Sequence, residues 1–390
     1  MANGDPAVPP RPKTPDVEGL VGGACFEELA DEEVIERPDG TELPFVSLRQ
    51  ESPAKIKVLI VQGWNETYLR YLPLMEVLYA AGFSVYSYDH RCQGMASRYP
   101  GAHPQVTVVD SFSEYTEDLK TVVKRVNALE PGGELCAVAH SMGGLITCTV
   151  AADHPEIFSR IVLSAPMFSL KSVHPTWVVH AIATVLMSLG FGNKFAPDPT
   201  QHPIDASGPI IEKLTHDAPR LAELEDIWQR VPAARQGGVS VKWLKTCIEA
   251  QRRFARIWAR VEAPTLLMHA DEDEFVHTGQ QVLFGRANGN VRRAFFPGTY
   301  HELFNEVPAV RAACETLTVK FIGGDSGEGG DGDETDGVLM PEAGECEEFD
   351  TGMPPFYLGP ILHWVSPATG IAAGALIGYG AYLAVRRLRR

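Results

Sequence analysis

The chain lacks what small secreted or metal-bound proteins rely on. Its seven cysteines (Cys25, Cys92, Cys136, Cys148, Cys247, Cys314 and Cys346) are odd in number, scattered, and form no C-x-x-C pair. Neither a disulfide framework nor a cysteine metal centre is expected, and a reducing compartment is. Met1 to Asp16 is Pro-rich and polar with no apolar core, so no signal peptide is expected before the folded part. Cationic residues are in deficit: 34 Lys and Arg stand against 50 Asp and Glu, a net charge of −16. No nucleic-acid partner is expected of so acidic a chain. Much of the deficit is local. Gly323 to Gly352 has eleven acidic residues and no Lys or Arg. Such a segment cannot bury enough apolar area to fold, and like-charge repulsion would keep it extended.

What is present is strand–helix alternation. Glu32–Glu36 and Glu42–Leu48 flank Pro38-Asp39-Gly40, a hairpin signal. Apolar runs predict strands at Lys57–Val61, Ser84–Tyr88, Leu135–Val138, Ile161–Ser164, Thr265–His269 and Arg293–Phe296. Helical patterns lie between most of them. Ser111–Leu129, for example, puts Tyr115, Leu119, Val122, Val123 and Val126 on one face. The alternation predicts an α/β domain with a mostly parallel, doubly wound sheet and the antiparallel hairpin at one edge. The domain is expected at 23–322, behind a disordered arm at 1–22. From 165 to 263 the alternation stops, which predicts an inserted helical cap.

The run Val138-Ala139-His140-Ser141-Met142-Gly143-Gly144 joins a strand-like segment to an apolar helical one. A serine at such a corner, with small residues two before and two after it (Ala139 and Gly143), is a nucleophile elbow. A base and an orienting acid are then required, each following a strand. His301, after the last strand, is the candidate base. Asp273 is the candidate acid, with Asp271 on the same loop as its rival. The other histidines, among the twelve in the chain, default to core or surface roles, including His90, His140, His154, His174, His269 and His277. The strand at Lys57–Val61 ends in Gln62-Gly63-Trp64-Asn65-Glu66. Gly63 permits a bend that would turn the Trp64 amide inward, to form an oxyanion hole with the Met142 amide. No metal or other cofactor is needed for this chemistry.

Four segments together resemble the lysophospholipase and monoacylglycerol lipase branch of the α/β-hydrolases. They are Gln62–Glu66, Asp89-His90-Arg91-Cys92-Gln93-Gly94-Met95-Ala96-Ser97, Ala139–Gly144 and Tyr300-His301-Glu302. A fifth, Lys213-Leu214-Thr215-His216-Asp217-Ala218-Pro219-Arg220, is similar to bacterial-type lysophospholipases in particular. The resemblance covers about residues 25 to 322. The chain departs from the family pattern at Gln62 (usually His), Cys92 (usually Gly) and Ala139 (usually Gly). The resemblance implies a serine hydrolase with an α/β-hydrolase fold, acting on a monoacyl lipid. A lysophospholipase is the leading expectation. A monoacylglycerol lipase, another acyl hydrolase or an acyltransferase is the alternative, and a membrane-tethered, non-catalytic interaction protein the reading from another class. Asp89 and Arg91 are expected to form a polar network beneath the site.

Within the cap, Trp177 to Phe191 is a long apolar run, too short to span a bilayer comfortably. It reads as a packed cap helix, as an acyl-chain wall or as a membrane-touching lid. Arg252, Arg253, Arg256 and Arg260 would meet a phosphate headgroup or line a solvated helix face. Beyond the acidic linker (323–356), the segment Tyr357 to Val385 carries no Asp, Glu, Lys or Arg. A helix from Pro367 to Val385 would run roughly 28 Å, close to the hydrocarbon thickness of a bilayer. A transmembrane helix is therefore expected at 365–385, ended by a basic tail at 386–390. Gly370, Gly374 and Gly378 would offer a close-packing face for a homodimer. The expected location is a single-pass C-terminal anchor with the catalytic domain in the cytosol. The membrane, whether mitochondrial outer, peroxisomal or endoplasmic reticulum, is left open.

Overall fold

The computed structural model describes residues 19–197 and 211–324. The strands are β1 (Ala30–Glu36), β2 (Glu42–Leu48), β3 (Ile56–Val61), β4 (Ser84–Tyr88), β5 (Val106–Thr107), β6 (Glu134–His140), β7 (Arg160–Ser164), β8 (Gly238–Val239), β9 (Thr265–Ala270) and β10 (Val291–Phe296). Eight of them form one sheet in the order β1-β2-β4-β3-β6-β7-β9-β10, and β5 pairs separately with β8. β1 pairs antiparallel with β2, and β2 antiparallel with β4. Every pairing from β4 through β10 is parallel. This is the α/β-hydrolase type of sheet, with the expected hairpin at its edge.

The helices are α1 (Gly23–Leu29), α2 (Leu72–Ala80), α3 (Ser113–Leu129), α4 (Met142–Asp153), α5 (Thr176–Ser188), α6 (Ala218–Arg230), α7 (Val241–Ile257), α8 (Thr278–Ala287) and α9 (Pro308–Ile322). The period-2 alternation of each strand sorts them into two layers. Leu59, Val61, Ala137, Ile161 and Leu163 pack with residues of α3, α4, α7 and α8. Val58, Ile60, Cys136, Val138 and Val162 point the other way, into a core shared with α2, α6 and α9. α4 is buried from Met142 to Ala152, which is why its apolar residues occupy all of its faces.

Two expected boundaries shift. Two residues expected in the arm at 1–22 belong to the folded part: Leu20 is buried, and the Val21 amide donates to Glu223 Oε1 at 3.0 Å. The insertion at 165–263 is also not all cap. Phe254 and Ile257 of α7 join the core beside the sheet, and Phe254 packs on Phe168 and Phe284. α5 is the more exposed part. Only Ala183 and Leu186 of α5 are fully buried, whereas Trp177 is 62% exposed. Gly190, at φ 84°, turns the chain just past the end of α5. Arg253, among the four arginines singled out above, pairs with Asp153 at 2.7 Å.

No helix among the described residues is long and apolar enough to cross a membrane. The span expected at 365–385, the linker, the basic tail, and the dimer face of Gly370, Gly374 and Gly378 all lie outside the described residues.

Candidate active site

All the loops of interest leave the sheet at the carboxyl ends of its parallel strands. β6 delivers Ser141, β9 the loop with Asp271 and Asp273, β10 the loop with His301, and β3 the Gln62–Glu66 loop. In a parallel sheet these ends share one edge, so residues far apart in sequence meet there.

Ser141 sits at φ 49°, ψ −117°, a conformation that costs a non-glycine residue about 1–3 kcal/mol. The surroundings impose it. The Ser141 amide donates to Ser164 O at 3.0 Å, and Ser141 O accepts from Met167 N at 2.9 Å and Gly144 N at 3.0 Å. The small neighbours are explained by contact. A Cβ on Gly143 would lie 2.0 Å from Val61 O, and one on Gly144 would lie 2.6 Å from Pro166 Cβ. Ala139 is fully buried, and its methyl is accommodated in the core.

His301 bonds at both ring nitrogens. Nδ1 lies 2.6 Å from Asp273 Oδ2, and Nε2 lies 2.9 Å from Ser141 Oγ. An ionised carboxylate only accepts, so Nδ1 carries the proton and Nε2 faces the serine hydroxyl as an acceptor. Asp273 is itself held: its Oδ1 accepts from Phe275 N at 2.8 Å and Val276 N at 3.0 Å. Asp271 goes elsewhere. Its Oδ2 accepts from Gly298 N at 3.2 Å. The structure thus brings Asp273, and not Asp271, to the imidazole.

Gly63 packs against the serine; a Cβ there would stand 3.1 Å from Ser141 Cβ. Its amide donates to Glu66 Oε2, so the next amide, that of Trp64, is the loop's candidate donor toward the serine. The Trp64 indole donates to Thr107 Oγ1 at 2.8 Å, and Asn65 Oδ1 accepts from Gln236 N at 3.0 Å. Beneath the loop, Asp89 accepts from Gln62 Nε2 at 3.0 Å, Tyr68 N at 2.8 Å and Met95 N at 2.7 Å. Gln62 therefore makes a side-chain brace where the family usually has His. Arg91 binds Asp118 through Nε at 2.6 Å.

Sequence reasoning assigned no role to a buried acidic pair beside the base. Glu302 meets Arg70 Nη2 at 2.8 Å and accepts from Asn305 Nδ2 at 3.0 Å. Glu66 accepts from Tyr71 Oη at 2.7 Å and faces His140 Nε2 at 3.7 Å. His140, given a default core role, is buried, but its ring centre lies only 4.6 Å from that of His301. Glu66 and Glu302 are the last residues of two of the motifs quoted above, yet nothing in their spacing signals that they converge.

The electrostatics follow from this arrangement. Burial raises the Glu66 carboxyl above its usual range, and the Glu302 charge adds to that. Burial opposes ionisation of Glu302 too, but the charges of Arg70 and of the nearby histidines outweigh it and hold it low. His140 is pushed down to about 3, by burial first and by His301 second. For His301, burial favours the neutral ring, but Asp273, with help from Glu302 and Glu66, overcomes it and raises the imidazole above its ordinary 6.5. Burial likewise works against the Asp273 charge, but His301 and the two amides outweigh it, leaving that carboxyl low.

A protein-family model described as serine aminopeptidase, S33, matches residues 52–308. Lysophospholipase L2 of Escherichia coli strain K12 is 27% identical over 305 residues, which is 76% of this chain and 88% of that protein. A monoacylglycerol lipase of Mycolicibacterium smegmatis is 30% identical over 265 residues, 67% of this chain and 86% of the relative. Among solved structures, a soluble variant of monoglyceride lipase from Saccharomyces cerevisiae superposes with a TM-score of 0.60 at 19% identity. It covers 76% of this chain and 96% of its own. At that identity the likeness concerns the fold.

A base must be neutral to accept a proton, and the folded His301 value lies above 6.5. The rate kcat/KM should therefore fall, with a slope of one, as pH drops through a midpoint above 6.5. In Asp273→Asn the largest raising influence is gone while burial remains. The midpoint should move down and the plateau fall by about 10⁴-fold, whereas Asp271→Asn should leave both near wild type. A pH–rate profile of the three proteins checks this, and an unshifted profile in Asp273→Asn contradicts it.

Proposed function

The chain belongs to the serine aminopeptidase S33 family and is a serine ester hydrolase, and we propose that it cleaves monoacyl lipids, a lysophospholipid first among them. The observation that carries the proposal is the continuous line from Asp273 Oδ2 through His301 to Ser141 Oγ, 2.6 Å and 2.9 Å.

In this reading Ser141 Oγ attacks the acyl carbonyl while His301 Nε2 takes its proton. Asp273 fixes the ring tautomer and stabilises the imidazolium. The amides of Met142 and Trp64 receive the oxyanion, each contributing about 10²–10³ in rate because the charge exists only in the transition state. Gly63, Ala139 and Gly143 let the loop and the elbow approach closely enough. His301 then protonates the leaving alcohol, and water, activated by the same ring, releases the fatty acid.

The acyl preference rests on the insertion. α5 is apolar except for a stripe of Thr176, His180, Thr184 and Ser188, and it leaves Trp177 largely uncovered, which suits a greasy chain better than a peptide or a sugar. The headgroup preference rests on the Lys213–Arg220 segment and on the relative named a lysophospholipase. Monoacylglycerol is the second reading, favoured by the 30% identical relative.

A fluorophosphonate probe should label the wild type and not Ser141→Ala. Offered lysophosphatidylcholine, monoacylglycerol and an aminoacyl amide in turn, the unlabelled wild-type protein should turn over the lysophospholipid fastest. Faster monoacylglycerol cleavage selects the second reading, and cleavage of the amide alone overturns the lipid assignment.

The reading extends to location. The apolar segment at 365–385 with its basic tail would anchor the chain in a membrane, with the catalytic domain tethered to it through the acidic stretch. On flotation with phospholipid vesicles the full chain should rise with the lipid through a salt wash, and a chain ending at residue 324 should stay at the bottom. Equal behaviour of the two contradicts the anchor.

A further inference from the structure

The segment Lys213–Asp217 enters α6 from the insertion, yet it lies along the loop that carries His301. Its contacts flank the base on both sides. On the C-terminal side, the Glu302 amide donates to Leu214 O at 2.9 Å, and Thr215 Oγ1 donates to Asn305 O at 2.7 Å. On the N-terminal side, the His216 ring stacks on Tyr300, with centroids 3.7 Å apart and planes 18° apart. A buried carboxylate joins the two. Glu306 accepts from Tyr300 N at 2.8 Å, from Val307 N at 3.0 Å and from His216 Nδ1 at 2.9 Å. The segment is fastened at its own ends. Lys213 reaches Glu274 on the acid loop at 3.4 Å, and Asp217 both caps α6 and meets Arg311 at 3.2 Å.

Few of these bonds are needed to hold the insertion down, since α6 already packs Leu224, Ile227 and Trp228 into the core. Their placement answers a different need. His301 projects from a loop, and a loop-borne base keeps two bonds in line only if the backbone beside it cannot drift. The residues immediately before and after it are the ones that this segment holds.

We propose that His216 is a positioning residue for the base: acting through Glu306 and the Tyr300 backbone, it holds the His301 loop so that the imidazole stays aligned on Ser141. The proposal rests on the serine-hydrolase reading above. It makes the insertion part of the catalytic apparatus and ties its placement to the rate. Substrate binding is not the affected step, because His216 acts on the alignment of the base.

The test compares His216→Phe, which keeps the ring stack and loses the Nδ1 donor, with His216→Asn, which restores a short amide donor. Turnover of lysophosphatidylcholine by the full chain is divided by the number of sites titrated with the fluorophosphonate, so that misfolded protein does not count. In His216→Phe, kcat per site should fall about tenfold with KM within about twofold of wild type, a loss in keeping with small misalignment of a catalytic group. In His216→Asn most of the rate should return. Unchanged kcat per site in His216→Phe, or no recovery in His216→Asn, overturns the positioning role while leaving the hydrolase assignment intact. A wild-type chain that takes no label overturns the hydrolase assignment itself, and this role with it.

Discussion

The imidazole of His301 is bonded at both nitrogens, to a carboxylate on one side and a hydroxyl on the other, and the three partners leave the sheet on three different strands. That geometry leaves little freedom to the surrounding structure. β6, β9 and β10 must present their carboxyl ends at a common edge, in the registers that align His140 with Ser164 and Phe295 with His269. The elbow must accept a strained serine, and α4 must start at once, which brings Gly143 so near the β3 carbonyls that no side chain fits there. The cost of the Ser141 backbone is met by bonds to Ser164, Met167 and Gly144, drawn from the same strand edge and helix start.

The charges around the ring form a second layer of the same design. Asp273, Glu302 and Glu66 are all buried close to His301, and three full negative charges in so small a volume would be costly. The structure divides them. Asp273 is stabilised by the ring and two amides, Glu302 by Arg70 and Asn305, and among the described residues Glu66 has no cation within salt-bridge range except the suppressed His140. The proton most easily kept is thus the one on Glu66, whose carboxyl also braces the oxyanion loop through the Gly63 amide. The insertion adds mechanical support at two points. Gln236 reaches Asn65 on the oxyanion loop, and the segment before α6 reaches both neighbours of the base.

Much of this was legible in the sequence, for physical reasons that differ by element. Strands buried on both faces read as short apolar runs, and each was found within a few residues of its observed ends; Ser84–Tyr88 matches β4 end to end. The nucleophile, the candidate base and the oxyanion loop could be picked out because each directly follows such a run. Asp273 is favoured over Asp271 in the sequence only by its deeper place on the loop they share, and the turn that lends Asp273 two amides is what separates them in the structure. β5 and β8 have two residues each, too few for any periodicity to show. The burial of Leu20 and the meeting of Glu66 with Glu302 depend on contacts between distant segments, which local pattern does not encode. α7 falls within the expected cap, yet its Phe254 and Ile257 join the core beside the sheet, because an amphipathic helix shows that it has a buried face without showing what covers it.

The most direct test of the account is the proton shared between His301 and Asp273. In a proton NMR spectrum of the full chain, an imidazole Nδ1–H bonded to a buried carboxylate at 2.6 Å should give a resonance far downfield of the amide region. It should sharpen as the ring becomes protonated at lower pH. The account predicts that this signal is present in the wild type and lost in both Asp273→Asn and His301→Gln. A wild-type spectrum without it, or a signal that survives loss of Asp273, would contradict the arrangement on which the rest is built.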